Sequence, residues 1–171
     1  MNQSLLSVIV ANFNNTGFLV QCLDSIENQT FKDVEVIVVD DASTDHSLEI
    51  IEKYVRKNPA QFRLISLFEN RGVSFARDQG VKASKGKYIT TLDSDDFYFA
   101  PDKLEREMEL VFLKEKKTER GVIVFSKVVL VDIDGEQKQY PKIIPIEEGD
   151  ILSPLLGRAC FIPRDFIMTR E

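Results

Sequence analysis

The sequence predicts an α/β fold in which helices cover both faces of a mostly parallel β-sheet. Apolar runs rich in β-branched residues alternate with stretches whose apolar residues recur at helical spacing. Four runs alternate with four helical stretches over the first 117 residues, and this order is typical of a parallel, right-handed, doubly wound sheet. The length of 171 residues suits one domain with a substantial core.

Each predicted element has its own signal in the sequence. Residues 34–39 are β-branched almost throughout, as is typical of a strand covered on both faces. Ser43 or Asp45 is a suitable N-cap for the second helix, Gly86 ends the third helix, and Pro101 begins the fourth. The predicted elements are a strand at 6–10, a helix at 18–28, a strand at 34–39, a helix through 48–55, a strand at 62–67, a helix at 73–83, a strand at 88–92 and a helix at 101–117.

The pattern changes after Gly121, and the chain reaches Glu171 without a clear terminal element. We therefore expect one α/β subdomain over residues 1–120 and the start of a second, interrupted subdomain over residues 121–171. In the second part we predict a strand, a hairpin turn, a loop and a short strand, at 122–131, 133–136, 142–149 and 159–162 respectively.

Composition excludes some classes of function. The net charge of −6 argues against general nucleic-acid binding, and an acidic protein that binds an anionic nucleotide needs a positive intermediary. Residues 5–10 are too short and lack the basic leader of a signal peptide, and no apolar run approaches the ~20 residues that span a bilayer. Cys22 and Cys160 lack metal or redox spacing, so we expect two buried thiols in a reducing cytoplasm.

Polar clusters follow three of the predicted strands. The first strand ends in Asn12 and Asn14, the second in the acidic run 40–45 and the fourth in the acidic run 93–96. Ligands of such sheets bind beyond the carboxyl ends of the strands, where the strand order reverses. Two carboxylates ~4 Å apart repel by about 4 kcal/mol at an effective dielectric near 20, so crowded aspartates favour a bound cation. Taken singly, each cluster is also explained as an ordinary turn or helix cap.

Asp93 and Asp95 are the candidate metal ligands. Mg²⁺ or Mn²⁺ takes one or two carboxylates and completes its coordination shell with water and phosphate oxygens. Such a cation would connect this acidic protein to a diphosphate and stabilise the diphosphate as a leaving group. Arg71 and Arg77 are placed either to contact an anionic ligand or to brace the aspartates, although Arg77 alone is also explained as part of a solvated helix face.

Four motifs stand in the chain in this order: Val8-Ile9-Val10-Ala11-Asn12-Phe13-Asn14, Val38-Val39-Asp40-Asp41-Ala42-Ser43-Thr44-Asp45, Asn70-Arg71-Gly72 with Ala76-Arg77 and Gly80, and Asp93-Ser94-Asp95-Asp96. Together they resemble the inverting GT-A glycosyltransferases of family 2. The resemblance covers roughly residues 6–115 and continues more weakly to about residue 168. It implies a GT-A fold, a nucleotide-diphospho-sugar donor (usually a UDP-sugar), Mn²⁺ or Mg²⁺, and a hydroxyl acceptor in polysaccharide, glycolipid or cell-surface glycan synthesis.

The resemblance also implies roles for individual residues. Asp41 would hydrogen-bond the base beside the backbone of Ala11 and Asn12. Asp93 would face the ribose and the sugar, and Asp95 would ligate the metal together with Asp93. The residues implied for the rest of the donor site are Asn14, Arg71, Arg77 and Ser94.

The sequence departs from the family pattern in three ways. Ala11 stands where the family often has proline or threonine, and Asp78 replaces a common asparagine. Arg158 begins a segment that resembles the strand under the acceptor, but the family places its acidic general base well after that segment. The context of Asp165 and Glu171 does not match the base motif, so we assign no base in this chain and expect it beyond Glu171.

Other functions stay open from the sequence. One is a non-catalytic fragment that binds a nucleotide-sugar, and another is a phosphoryl-transfer or phospho-acceptor domain. Dinucleotide-dependent oxidoreduction is disfavoured because no Gly-x-Gly-x-x-Gly motif follows the first strand. The expected location is the cytoplasm, with peripheral association with the inner face of the membrane as a further option.

Overall fold

A six-stranded sheet organises the part of the chain that the computed structural model describes, which is residues 4–117, 122–126, 130–131, 137–138 and 166–170. Strands and helices alternate through the first eight elements of the chain. In chain order the elements are β1 (Leu6–Asn12), α1 (Thr16–Glu27), β2 (Val34–Asp40), α2 (Ser47–Lys57), β3 (Phe62–Ser66), α3 (Val73–Ala83), β4 (Tyr88–Asp93), α4 (Lys103–Glu115), β5 (Ile123–Val124), β6 (Leu130–Val131), β7 (Gln137–Lys138) and β8 (Ile167–Thr169).

The strand order of the main sheet is β3-β2-β1-β4-β8-β5. The first four strands of the chain run parallel, and β8 lies antiparallel between β4 and β5. The order reverses at β1, which has β2 on one side and β4 on the other. In this register Asn12 lies beside Asp40, and Ala11 lies beside Asp93. The predicted α/β fold with a mostly parallel sheet is therefore confirmed. The ends of β1, β2 and β4 lie side by side where the strand order reverses.

Alternate residues of the central strands pack into two separate apolar clusters. All seven residues of β1 are buried, as expected for a strand covered on both faces. One face packs against α1, α2 and α4, and the other packs against α3. On the first face lie Val8, Val10, Val36 and Val38; on the second lie Ile9, Ala11, Ile37 and Val39.

The second helix contains the predicted residues 48–55, but neither of the predicted cap residues occupies its N-cap position. The helix begins at Ser47 after His46 as N-cap, with no side-chain capping bond. Asp45 lies one position before the N-cap, yet its carboxylate accepts the N–H of Ser47, the first residue of the helix, and also the N–H of Thr16. Ser43 is also not the cap, because its hydroxyl donates to Asp40.

The fourth helix starts later than predicted. It begins at Lys103 instead of Pro101, because Lys103 N–H closes a turn on the Ala100 carbonyl and the Pro101 carbonyl accepts from Thr30 N–H. It ends at Glu115, two residues before the predicted Lys117. Within the described residues, no helix combines the length and the apolar character that crossing a bilayer requires.

The single strand predicted at 122–131 is also wrong. β5 and β6 belong to different sheets, and Phe125 and Ser126 lie outside both. The Ser126 hydroxyl donates to Glu107 of α4 at 2.5 Å. β6 pairs antiparallel with β7, as the predicted hairpin requires, whereas β8 was not predicted. The predicted turn 133–136, loop 142–149 and strand 159–162, as well as Arg158 and Cys160, lie outside the described residues.

Helix α3 packs unusually closely on the sheet through Gly80. A Cβ atom at this position would overlap the Cγ2 methyl of Ile9 and lie 3.2 Å from Cγ2 of Val39. Ile9 and Val39 are completely buried, so neither has room to move aside. The glycine therefore sets the distance between α3 and the middle of β1.

We expect Gly80→Ala to lower the free energy of unfolding by about 1–3 kcal/mol because it overpacks this contact. Gly17→Ala is the matched control, since Gly17 lies in α1 and a Cβ atom added there would meet nothing within 4 Å. The control should be neutral or stabilising by up to about 1 kcal/mol, because alanine is the better helix former. Guanidinium denaturation measures both, and equal effects of the two substitutions would contradict the close-packing argument.

Candidate functional site

The polar ends of β1, β2 and β4 meet at one edge of the sheet. Asn12 Nδ2 donates to Asp40 Oδ1 at 2.9 Å, and Asp41 N–H donates to the Asn12 carbonyl at 2.8 Å. Asp93 ends β4 directly beside Ala11. The residues that the sequence predicts for one site are therefore brought together at the reversal of strand order, where sheets of this class bind ligands.

The loops after β1 and β2 are joined by side-chain hydrogen bonds. Asp40 accepts from the backbone N–H of Ser43 at 3.0 Å and from its hydroxyl at 2.6 Å. The Asn14 side-chain oxygen accepts from the N–H groups of Thr44 and Asp45, at 2.7 and 3.3 Å. The side chains of the predicted donor-binding residues Asn12 and Asn14 thus brace one loop against the other.

Asp41 holds the loop that leads into α3. Its two carboxylate oxygens accept the backbone N–H groups of Arg71 and Gly72, at 2.9 and 2.8 Å. The residue is only 2% exposed, so these two bonds satisfy a buried charge. Gly72 caps α3 with a φ of +86°, a conformation that glycine adopts without strain. Sequence reasoning did not anticipate this bracing role.

The two arginines of this region have different surroundings. The Arg71 guanidinium lies over the ring of Phe75, 3.7 Å from its centroid, and its side chain is 53% exposed. Arg77, on α3, forms a charged hydrogen bond with Asp93, and both side chains are mostly buried. Of the two roles predicted for these arginines, Arg77 therefore takes that of bracing an aspartate.

Three carboxylates gather at the end of β4. One oxygen each from Asp93, Asp95 and Asp96 lies within 4.8 Å of the others. A turn closed by Asp96 N–H on the Asp93 carbonyl, at 2.9 Å, brings them together. Two unit charges 4.8 Å apart repel by roughly 3.5 kcal/mol at an effective dielectric near 20, and by less where the side chains are exposed to water. Carboxylate oxygens are chemically suited to Mg²⁺ or Mn²⁺, and Asp96 lies in the same group as the two candidate ligands predicted from the sequence.

Two further contacts hold this turn from the side of α1. The Cys22 thiol, in α1, donates to the Asp93 carbonyl at 3.6 Å. Burial, followed by the nearby carboxylates, raises the pKa of Cys22 far above its usual range, so the thiol keeps its proton. The Asn15 side-chain amide donates to the Ser94 hydroxyl at 2.9 Å. No signal in the sequence marks Asn15 beyond its place in a polar run after β1.

Asp45 connects the first turns of two helices. Its carboxylate accepts from the N–H and hydroxyl of Thr16, which begins α1, and from the N–H of Ser47, which begins α2. Partial burial by itself would raise the pKa of Asp45, but the hydrogen bonds from Ser47 and Thr16 outweigh it and hold the pKa well below its usual range. The ionised form therefore fixes the loops after β1 and β2 at their far ends.

We expect Asp45→Asn to flatten the acid dependence of stability. The pKa of Asp45 is lower in the folded than in the unfolded protein, so its contribution is complete above the unfolded value of about 4 and is lost as the pH falls. The wild type should lose stability between about pH 5 and pH 2 more steeply than the variant, as measured by guanidinium denaturation over a pH series. Thr16→Val, which keeps the backbone donors, should give an intermediate slope; identical slopes for wild type and Asp45→Asn would refute this role.

Ala42 adopts a left-handed backbone conformation between Asp41 and Ser43, with a φ of +61°. This conformation costs a residue with a Cβ roughly 1–2 kcal/mol, and glycine avoids the cost but loses more entropy on folding. We expect Ala42→Gly to raise the free energy of unfolding by about 0.5–1 kcal/mol. Ala83→Gly, at the last residue of α3, is the control and should lower it by up to about 1 kcal/mol, the cost in a helix interior, so a loss of stability in both variants would contradict the strain at Ala42.

Comparison with known proteins finds one matching family and relatives named as glycosyltransferases. The sequence matches the family described as Glycosyl transferase family 2 over residues 7–153. It is similar to an uncharacterized glycosyltransferase of Haemophilus influenzae, with 36% identity over 137 residues that cover 80% of this chain and 52% of that protein. The chain thus spans about half the length of this relative.

Two solved structures share the fold. The S. aureus protein TarS (residues 1–349) in complex with UDP-GlcNAc superposes with a TM-score of 0.72 and 25% identity, covering 97% of this chain and 45% of that one. The mannosyltransferase PcManGT from Pyrobaculum calidifontis, in complex with GDP-Man and Mn²⁺, gives a TM-score of 0.58 and 26% identity, covering 63% of this chain and 32% of that one. With its sheet, its ordered motifs and its match over residues 7–153, the chain belongs to glycosyl transferase family 2 and has the GT-A fold.

Proposed function

We propose that this chain binds a UDP-sugar together with Mn²⁺ or Mg²⁺, and that the protein transfers the sugar with inversion to a hydroxyl acceptor. The acceptor class is a glycan or lipid-linked sugar of polysaccharide, glycolipid or cell-surface glycan synthesis. The observation that carries the proposal is the group of carboxylate oxygens of Asp93, Asp95 and Asp96 within 4.8 Å of one another, at the reversal of strand order. The UDP-GlcNAc bound to TarS, which shares the fold, supports the choice of donor.

Asp95 and Asp93 would hold the metal. One carboxylate oxygen of Asp96 lies within 4.8 Å of an oxygen of each of them. When bound, the cation would supply the positive charge that stabilises the leaving diphosphate. Arg77 keeps the Asp93 carboxylate oriented and offsets part of the repulsion among the three aspartates. The Mn²⁺ in the PcManGT complex supports a divalent metal here, with Mn²⁺ and Mg²⁺ both chemically suited to oxygen ligands.

Asp41 is proposed to recognise the base beside the backbone of Ala11 and Asn12. Each of its carboxylate oxygens accepts one backbone N–H, at 2.8 or 2.9 Å, and has a further lone pair for an N–H of the base. Asp93 would also face the ribose and the sugar. The other residues proposed to line the donor site are Asn14, Arg71, Arg77 and Ser94.

Residues 1–120 are proposed as the donor-binding part and residues 121–171 as the start of the acceptor side. We assign the general base to none of the described residues, because the carboxylates of this site are committed to the metal or to bracing bonds. The proposed location is the cytoplasm, with peripheral attachment to the inner face of the membrane when the acceptor is lipid-linked. The free, buried thiol of Cys22 fits that compartment.

We expect UDP to bind this chain in calorimetry only when Mn²⁺ or Mg²⁺ is present. Asp95→Ala should weaken binding by about 100-fold or more, which exceeds the ~10–100-fold effect typical of residues around metal ligands. Glu52→Ala is the matched control, since it also removes one carboxylate but lies on α2 in an exposed pair with Arg56. GDP, offered in place of UDP, tests the choice of base.

Several outcomes would change the proposal. Equal binding of UDP with and without metal, or equal loss in Asp95→Ala and Glu52→Ala, would contradict it. A chain that binds the UDP-sugar but neither hydrolyses nor transfers it with candidate acceptors would be a binding fragment. Formation of an aspartyl adduct with beryllofluoride or acetyl phosphate would favour the phospho-acceptor alternative.

A further inference from the structure

Asn15 occupies the N-cap position of α1 but does not cap the helix. Its carbonyl accepts from the N–H groups of Phe18 and Leu19, at 3.2 and 3.1 Å, as the residue before a helix does. An asparagine at this position usually turns its side-chain oxygen onto the free N–H groups of the first turn. Here no side-chain capping bond forms. The side-chain amide donates instead to the Ser94 hydroxyl, at 2.9 Å and 79 residues along the chain.

The helix tolerates this because Asp45 serves its first turn. The Asp45 carboxylate accepts from the N–H and hydroxyl of Thr16, the first residue of α1. The backbone of Asn15 is fixed separately, since its N–H donates to the Ser47 hydroxyl at 3.3 Å. The side chain of Asn15 is therefore available for a contact outside the helix.

Its partner lies at the centre of the acidic turn. Ser94 is 5% exposed and stands between Asp93 and Asp95, in the turn that Asp96 N–H closes on the Asp93 carbonyl. Arg77 and Cys22 hold the side chain and the carbonyl of Asp93, which precedes Ser94. The bond from Asn15 holds the next residue of the turn, so the backbone that carries the three carboxylates is fixed on the side of α1.

We propose that Asn15 is a positioning residue of the metal site, acting through Ser94 on the turn that carries Asp93, Asp95 and Asp96. The inference rests on the proposed function, because it requires that these carboxylates bind a divalent cation. A turn whose carboxylates repel one another needs such fixing, since ligand oxygens must be held close to the metal geometry to bind well. Asn15 would thus keep the carboxylates grouped before the cation arrives.

Asn15→Ser tests this cleanly. Serine is a good N-cap residue, but its side chain is too short to replace the amide at the Ser94 hydroxyl. We expect the affinity for Mn²⁺ alone, measured from the electron paramagnetic resonance signal of free Mn²⁺, to fall about 10-fold. The melting temperature should stay unchanged or rise. Ser94→Ala should give a similar loss of Mn²⁺ affinity. The double variant should bind Mn²⁺ as tightly as the weaker-binding single variant, since both substitutions remove the same hydrogen bond.

Asn58→Ser is the matched control. Asn58 also lies at a helix end, and its amide donates to Gln61 at 2.9 Å, away from the acidic turn. Mn²⁺ affinity should be unaffected by it. An unchanged affinity in Asn15→Ser, additive losses in the double variant, or a fall in affinity that merely accompanies a fall in melting temperature would overturn the positioning role. A wild-type chain that binds no Mn²⁺, alone or with UDP, would instead overturn the proposed function and this inference with it.

Discussion

The ion pair between Arg77 and Asp93 is the contact on which the acidic edge of the sheet depends. Asp95 and Asp96 are exposed, so water stabilises their charges, but the Asp93 side chain is only 15% exposed. A carboxylate in that position, with two others within 4.8 Å, is costly unless a cation lies beside it. Arg77 supplies that charge from α3, and the placement of α3 therefore decides whether the three carboxylates can be grouped at all.

The position of α3 is in turn fixed at two points. Near its start, the Asp41 carboxylate holds the backbone N–H of Gly72, and toward its end Gly80 allows the helix to lie directly on Ile9 of β1. Arg77 lies between these points, one turn before Gly80. The residue proposed to recognise the base and the residues proposed to hold the metal are thus connected through one short helix. Asp41 and Asp93 are thus both held by groups of α3 or its N-cap residue.

Features that depend on neighbouring residues were predicted from the sequence, whereas features that depend on residues far apart along the chain were not. The start of α3 was predicted because Gly72 marks it locally, and its end at Ala83 was also predicted, although the C-cap residue is Ser84 and not Gly86. β1 and β2 were predicted because their runs are mostly apolar and β-branched. β8 was not predicted because three residues added antiparallel to β4 carry no periodicity of their own. Likewise, the acidic clusters could be predicted to form one site because each follows a strand. The hydrogen bonds of Asp41 and Asn15 join residues far apart in sequence, so no local pattern predicts them.

The charge balance of the site supports a bound cation independently of the family resemblance. The protein has a net charge of −6, and a diphosphate adds further negative charge beside three aspartates. Of the two arginines nearest in sequence to the site, Arg77 is paired with Asp93, and Arg71 lies over Phe75 with Glu69 at 3.9 Å. Neither arginine brings an excess of positive charge. A divalent ion on the carboxylates would offset both the crowding of the aspartates and the charge of the proposed donor, so the same three residues that repel one another in the turn would favour a metal-bound donor.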